Sequence, residues 1–118
     1  MKINWLELRS VQDVDNVITR SFTIPCLILK HSTTCQISAI AKYRLEDDWN
    51  FEEETLEPYY LDLLSFRSVS NYIAEAFSVH HESPQALLIY KGECIFDVSH
   101  LDISVAELKE ALALEAAP

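Results

Sequence analysis

Lys30-His31-Ser32-Thr33-Thr34-Cys35-Gln36-Ile37-Ser38 is the stretch from which the rest of the chain is read. An apolar run, residues 24–29, leads into it, and a stretch with helical periodicity, residues 36–49, leads out. Cys35 is therefore expected where a buried strand ends and a helix begins. A thiol at that junction faces the unpaired amides of the first helical turn. The partial positive charge of a helix N-terminus favours a thiolate over a thiol. The expectation is a sulfur that is ionised near neutrality and reachable from outside, which is redox chemistry.

Composition narrows the choices further. The 118 residues make one domain, 49% of them hydrophobic. A chain of this size buries about two thirds of the surface its unfolded form exposes, so its core needs no disulfide staple. The net charge of −10 repels phosphate backbones and anionic membrane surfaces, which argues against nucleic acid and membrane partners. No apolar stretch approaches the roughly 18 residues of a spanning helix, and the N-terminus shows no signal-peptide pattern. Three irregularly spaced cysteines (Cys26, Cys35, Cys94) suit a reducing, cytoplasmic setting better than a disulfide framework. With Gly92 as the only glycine, the glycine-rich loops that cradle phosphates are excluded.

Along the chain, residues 1–9 form a lead-in anchored by Trp5, Leu6 and Leu8. Ser10-Val11-Gln12-Asp13 has the form of a helix start, and Val11, Val14, Val17 and Ile18 give a helix over 11–20 one apolar face. Pro25 opens a strand whose run Cys26-Leu27-Ile28-Leu29 lacks polar alternation, as in a central strand covered on both faces. Ile37, Ile40, Ala41 and Leu45 recur at helical spacing after Cys35. The acidic residues 46–48 and 52–54 read as a solvated helix end and loop. Residues 58–64 form a second strand. Ser68 or Ser70 caps a helix with Val69, Tyr72, Ile73, Ala76 and Phe77 on one side. A polar link, 78–84, precedes a strand at 86–90, a turn at Lys91-Gly92-Glu93 and a hairpin partner at 94–98. Ser104-Val105-Ala106-Glu107 opens a last helix with Val105, Leu108, Ala111 and Leu112 inward, and 115–118 is a frayed tail. The order α, β, α, β, α, β, β, α is a βαβ unit joined by a helix to a ββα unit. That is the thioredoxin-like arrangement: a single α/β domain with a mixed four-stranded sheet and helices on both faces.

Cys35-Gln36-Ile37-Ser38 is a C-x-x-S motif. In dithiol oxidoreductases the same turn carries two cysteines, one attacking and one resolving. A serine cannot complete a disulfide, but its hydroxyl can donate a hydrogen bond to a thiolate one turn away. The expected behaviour is that of a one-thiol enzyme: Cys35 attacks a mixed disulfide, keeps the small thiol and waits for another thiol to remove it. The competing reading is an inert buried cysteine. Lys30 is the cation nearest in sequence apart from His31; it either assists Cys35 through space or is a solvated strand end. Pro84 enters the strand beside the active turn. With a cis Ser83–Pro84 bond, the Ser83 backbone groups would face outward to pair with an extended substrate. His80, His81 and His100 have no zinc-type spacing with Cys35 or Cys94, so no metal site is expected. Cys26 is expected in the core and Cys94 in the final hairpin.

Four blocks carry a resemblance. They are the stretch from Leu29 to Ser38, Tyr60-Leu61-Asp62-Leu63, His81-Glu82-Ser83-Pro84-Gln85-Ala86-Leu87-Leu88, and Ser99-His100. Together they resemble the monothiol bacilliredoxins, thioredoxin-like proteins of the bacillithiol redox system. The resemblance implies a cytoplasmic protein that removes bacillithiol, or a similar low-molecular-weight thiol, from S-thiolated client proteins. That thiol is its co-substrate, and no cofactor is tightly bound. It implies Cys35 as the redox cysteine, Ser38, Lys30 and Thr34 in support, and Ser83–Pro84 on the substrate side. The family often has proline after the cysteine, where this chain has Gln36; a proline there would stiffen the first helical turn. The alternative class is a non-enzymatic thioredoxin-like binding module, or a carrier sharing an iron–sulfur cluster through Cys35.

Overall fold

The computed structural model describes residues 3–116. In chain order the elements are β1 (Leu6–Glu7), α1 (Val11–Arg20), β2 (Cys26–His31), α2 (Gln36–Asp48) and β3 (Glu57–Asp62). They continue with α3 (Arg67–Phe77), β4 (Gln85–Tyr90), β5 (Glu93–Ser99), a 3-10 turn (His100–Asp102) and α4 (Val105–Ala116). The strand order is β1-β3-β2-β4-β5. β2 runs parallel to β3 and antiparallel to β4, and β5 closes the other side as the hairpin partner of β4.

β2 lies at the centre because its residues allow nothing else. All six are buried. Cys26 and Ile28 face a core built with Val14 and Val17 of α1 and Val69, Ile73 and Phe77 of α3. Leu27 and Leu29 face a second core built with Ala41 and Leu45 of α2, Val105 and Leu108 of α4, and Trp49, Phe51 and Ile103. Each fully buried aliphatic side chain contributes about 1.5–3 kcal/mol. Local chemistry sets the element ends. Ser10 Oγ accepts the Asp13 N–H at 3.1 Å, and the Asp13 carboxylate accepts the Arg9 N–H at 2.8 Å. Ser104 Oγ accepts the Glu107 N–H. Lys91 and Gly92, both at positive φ, make the two-residue turn between β4 and β5. That turn docks on Ser21, whose carbonyl and hydroxyl accept the two turn amides.

The structure corrects several expectations. The sheet has five strands, not four, because part of the lead-in pairs with β3 as β1. Leu6 is exposed there, and Leu8 is the residue that enters the core. Val11 and Ala76 face outward. On α2 the inward face is Ser38, Ala41 and Leu45, while Ile37 and Ile40 are exposed. The inward face combines two small residues with one leucine, and the two isoleucines lie on the outer side. Ser68 and Ser70 do not cap α3; Phe66 occupies the cap position, and Asp62 accepts the amides of Leu64 and Ser65 just before it. Residues 115 and 116 of the expected tail are helical, and 117–118 lie outside the described residues, as do 1–2 of the lead-in. Within the acidic run, Glu46 is an exception to solvation: it accepts from Trp5 Nε1 and Lys42 Nζ, each at 2.8 Å.

The corrected face of α2 sets a test. Leu45→Ala is expected to lower unfolding free energy by about 2–5 kcal/mol. Ile40→Ala should stay within about 0.5 kcal/mol of wild type. Urea unfolding of both variants checks the assignment.

Candidate active site

Cys35 occupies the N-cap of α2, with extended backbone angles (φ −106°, ψ 123°). Its carbonyl accepts the first helical amide, from Ala39, at 3.0 Å, and its own N–H returns to Ser32 O at 3.2 Å. The 31–35 turn therefore delivers the cysteine to the helix end, half-buried rather than sealed. Its sulfur makes no side-chain capping bond to the first turn. Thr34 is exposed beside it, with Oγ1 3.4 Å from Ser32 Oγ.

Ser38 is buried one turn further on. Its hydroxyl accepts the Ser32 N–H at 3.0 Å and is hydrogen-bonded to His31 Nδ1. The expected donation to the Cys35 sulfur is thus replaced by bonds that fix the loop below the cysteine. His31 lies with its ring 5.6 Å from that of Tyr60. Burial and the nearby Lys42 ammonium push the imidazole below its ordinary range, against the opposing pull of Asp62, so it is neutral at neutral pH. Lys42 in turn sits 5.5 Å from the Tyr60 ring centre and 5.9 Å from that of Trp5. The lead-in, α2 and the end of β2 therefore share one polar and aromatic cluster.

Lys30 is not a solvated strand end: it is wholly buried. It shares a sheet face with Cys26 and Ile28, and its Nζ donates to Ser70 O at 3.1 Å and to His81 Nδ1 at 3.2 Å. Burial brings its pKa down to about 8. Ser83–Pro84 is a cis peptide immediately before β4. Because Gln85, the next residue, pairs with Lys30 in the sheet, this segment lies against the end of β2 that leads into the Cys35 turn. The Pro84 carbonyl accepts the His100 N–H at 3.0 Å, and His100 takes a positive φ.

The other two cysteines are pushed toward the protonated thiol. Burial, then the Glu57 carboxylate, push Cys26 up to about 12, and its thiol donates to Ile24 O. Burial pushes Cys94 up to about 11, with its thiol on Phe96 O. Among the described residues no group of three or more His, Cys, Asp or Glu is arranged to hold a metal ion, and no helix is long and apolar enough to cross a membrane. The sequence offers His81 a role only as a metal ligand and offers Ser70 and Gln85 none at the site. The available signal was Lys30 itself. A strand read as covered on both faces buries whatever residue continues it.

A half-exposed sulfur at a helix N-terminus, beside a proline-led strand, is the arrangement of a thiol redox protein of the thioredoxin fold. Comparison with solved structures agrees. A thioredoxin-fold protein provisionally described as an oxidoreductase is 36% identical, with 90% of this chain and 91% of that chain covered and a TM-score of 0.78. Thioredoxins from Malassezia sympodialis (13% identity, TM-score 0.74, 98% and 94% covered) and Trypanosoma brucei brucei (13%, 0.75, 98% and 93%) share the fold. The family model "Monothiol bacilliredoxin BrxC" matches residues 6–108. The chain belongs to the monothiol bacilliredoxin family.

Two measurements check this geometry. Ser38→Ala leaves the Ser32 N–H and His31 Nδ1 without their partner, and is expected to cost about 1–3 kcal/mol in urea unfolding. Lys30 is charged in both folded and unfolded chains below about pH 8, and the folded chain carries the cost of burying that charge. Between about pH 8 and its ordinary 10.5 the folded chain has released the proton and the unfolded chain has not, so the cost falls away as pH rises. The raised tyrosines and cysteines act in the opposite direction at high pH. The quantity to follow is therefore the stability of Lys30→Met relative to wild type. That advantage should shrink by on the order of 3 kcal/mol between pH 7 and 10.5.

Proposed function

We propose that the protein is a thiol–disulfide oxidoreductase that removes a small thiol, bacillithiol or a close analogue, from S-thiolated proteins in the cytoplasm, with Cys35 as its only working sulfur. The observation that carries the reading is the contrast among the three cysteines. Cys35 is half-exposed at a helix N-terminus; Cys26 is buried, and Cys94, although half-exposed too, lies on β5 with its thiol bonded to Phe96 O and pushed up to about 11. The family assignment supports the choice of small thiol.

The chemistry is two exchanges. The Cys35 thiolate attacks the small-thiol sulfur of the mixed disulfide. A Cys35–small-thiol bond forms, the client–small-thiol bond breaks, and the client leaves as a thiolate. A second small thiol, as thiolate, then attacks the adduct. Cys35 departs as a thiolate, and the oxidised small-thiol disulfide carries the two-electron oxidation away. Ser38 offers no second sulfur, so the adduct waits for an external thiol. The Ser83–Pro84 edge would align an extended client segment by its backbone.

The test is a client protein whose single cysteine carries bacillithiol. Wild type should release the client thiol and gain one bacillithiol mass on Cys35. Cys35→Ser should abolish both, while Cys26→Ser and Cys94→Ser keep both. Release of the client thiol that persists in Cys35→Ser would overturn the reading.

A further inference from the structure

Lys30 is a cation in the interior, and among the described residues no carboxylate pairs with it. A charge taken out of water without a counter-ion is costly. A methionine would fill the same space without that cost, so the ammonium must do something a methylene chain cannot. What it does in the structure is reach His81 Nδ1, braced by Ser70 O. Directly across the sheet, Gln85 is the registered partner of Lys30, so the two side chains project to the same face. Gln85 is also fully buried. Its Nε2 donates to His80 O at 2.9 Å, and this orientation leaves its Oε1 buried without a partner.

Two buried donors, on opposed positions of β2 and β4, thus tie consecutive residues, His80 and His81, of the loop that runs into Ser83–Pro84. Both are retained at a cost in solvation. His81 itself is exposed. Burial and the Lys30 charge hold the ring below its ordinary range, while Glu82 pulls upward and Arg67 and His80 pull down. With Nδ1 accepting from the ammonium, the neutral ring carries its proton on Nε2, on the side away from Lys30.

We propose that Lys30 is a positioning residue: by holding His81 Nδ1 it fixes the loop before Ser83–Pro84 and presents His81 Nε2–H as a donor to an acceptor on the bound mixed-disulfide substrate. The substrate half of this statement rests on the function proposed above; the anchoring half does not. It differs from an action of Lys30 on Cys35, because it leaves the intrinsic reactivity of the sulfur alone.

Four readouts decide it. Lys30→Met and His81→Ala should each lower the second-order rate of Cys35 with a bacillithiolated client at least tenfold. Alkylation of Cys35 by iodoacetamide should stay within twofold of wild type, and Lys30→Met should melt no lower than wild type. His81→Asn, whose side-chain oxygen can accept from Lys30 and whose amide can donate outward, should recover the exchange rate to within threefold. Nitrogen-15 spectra of the His81 ring should show Nδ1 unprotonated in wild type and a mixture of tautomers in Lys30→Met. Unchanged exchange in either variant overturns the proposal. So does a parallel fall in exchange and alkylation, which would assign Lys30 to Cys35 or to the fold as a whole. A wild type that exchanges with no mixed disulfide overturns the functional reading instead. The tautomer is read without substrate, and a protonated Nδ1 in wild type by itself overturns the anchoring.

Discussion

Every residue of β2 is withdrawn from water, and the fold follows from that burial. A strand buried on both faces must have backbone partners on both edges, and β3 and β4 supply them. It must also have helices above and below, and α1 and α3 cover one face while α2 and α4 cover the other. The two cores contribute most of the stability because aliphatic burial scales with area removed from water. At its far end the same strand runs into a short turn and then α2. Cys35 is therefore held by a rigid support although it lies outside regular structure itself.

The strand remains buried through its last two residues, where the apolar run has already given way to Lys30 and His31. Each points to a different face and each organises a different part of the site. His31 bonds Ser38 beneath the cysteine turn, and Lys30 bonds the loop that leads to Pro84. Buried polar groups cost free energy unless satisfied, and their partners here are the start of α2 after Cys35 and the loop that enters β4. Interior polarity is concentrated where the chain must hold an irregular shape, and apolar packing takes over where it does not.

Much of this was legible in the residues. An unalternating run after Pro25, capping boxes at Ser10 and Ser104, and a glycine turn between two apolar runs each have a local cause, and each lies where that cause placed it. What periodicity could not supply was the phase of α2. Its apolar residues are spread around the helix, and size suggested Ile37 and Ile40 for the interior. The assembled sheet instead takes Ser38, Ala41 and Leu45 inward. β1 escaped notice because two residues have no period. The position of Cys35 at the helix start was legible from the strand-to-helix switch. The ties from Lys30 to His81 and from Gln85 to His80 join residues brought together only by strand pairing, so no local pattern announces them.

The hydroxyl of Ser38 is already committed to Ser32 and His31, and the remaining cysteines lie elsewhere. Under the exchange chemistry proposed above, no intramolecular shortcut exists. Donor and acceptor must take turns at a single doorway, each leaving before the other arrives. Such a doorway cannot be tailored to one visitor. Turnover is then governed by how often the two kinds of caller come by, so the traffic outside sets the tempo of the cycle.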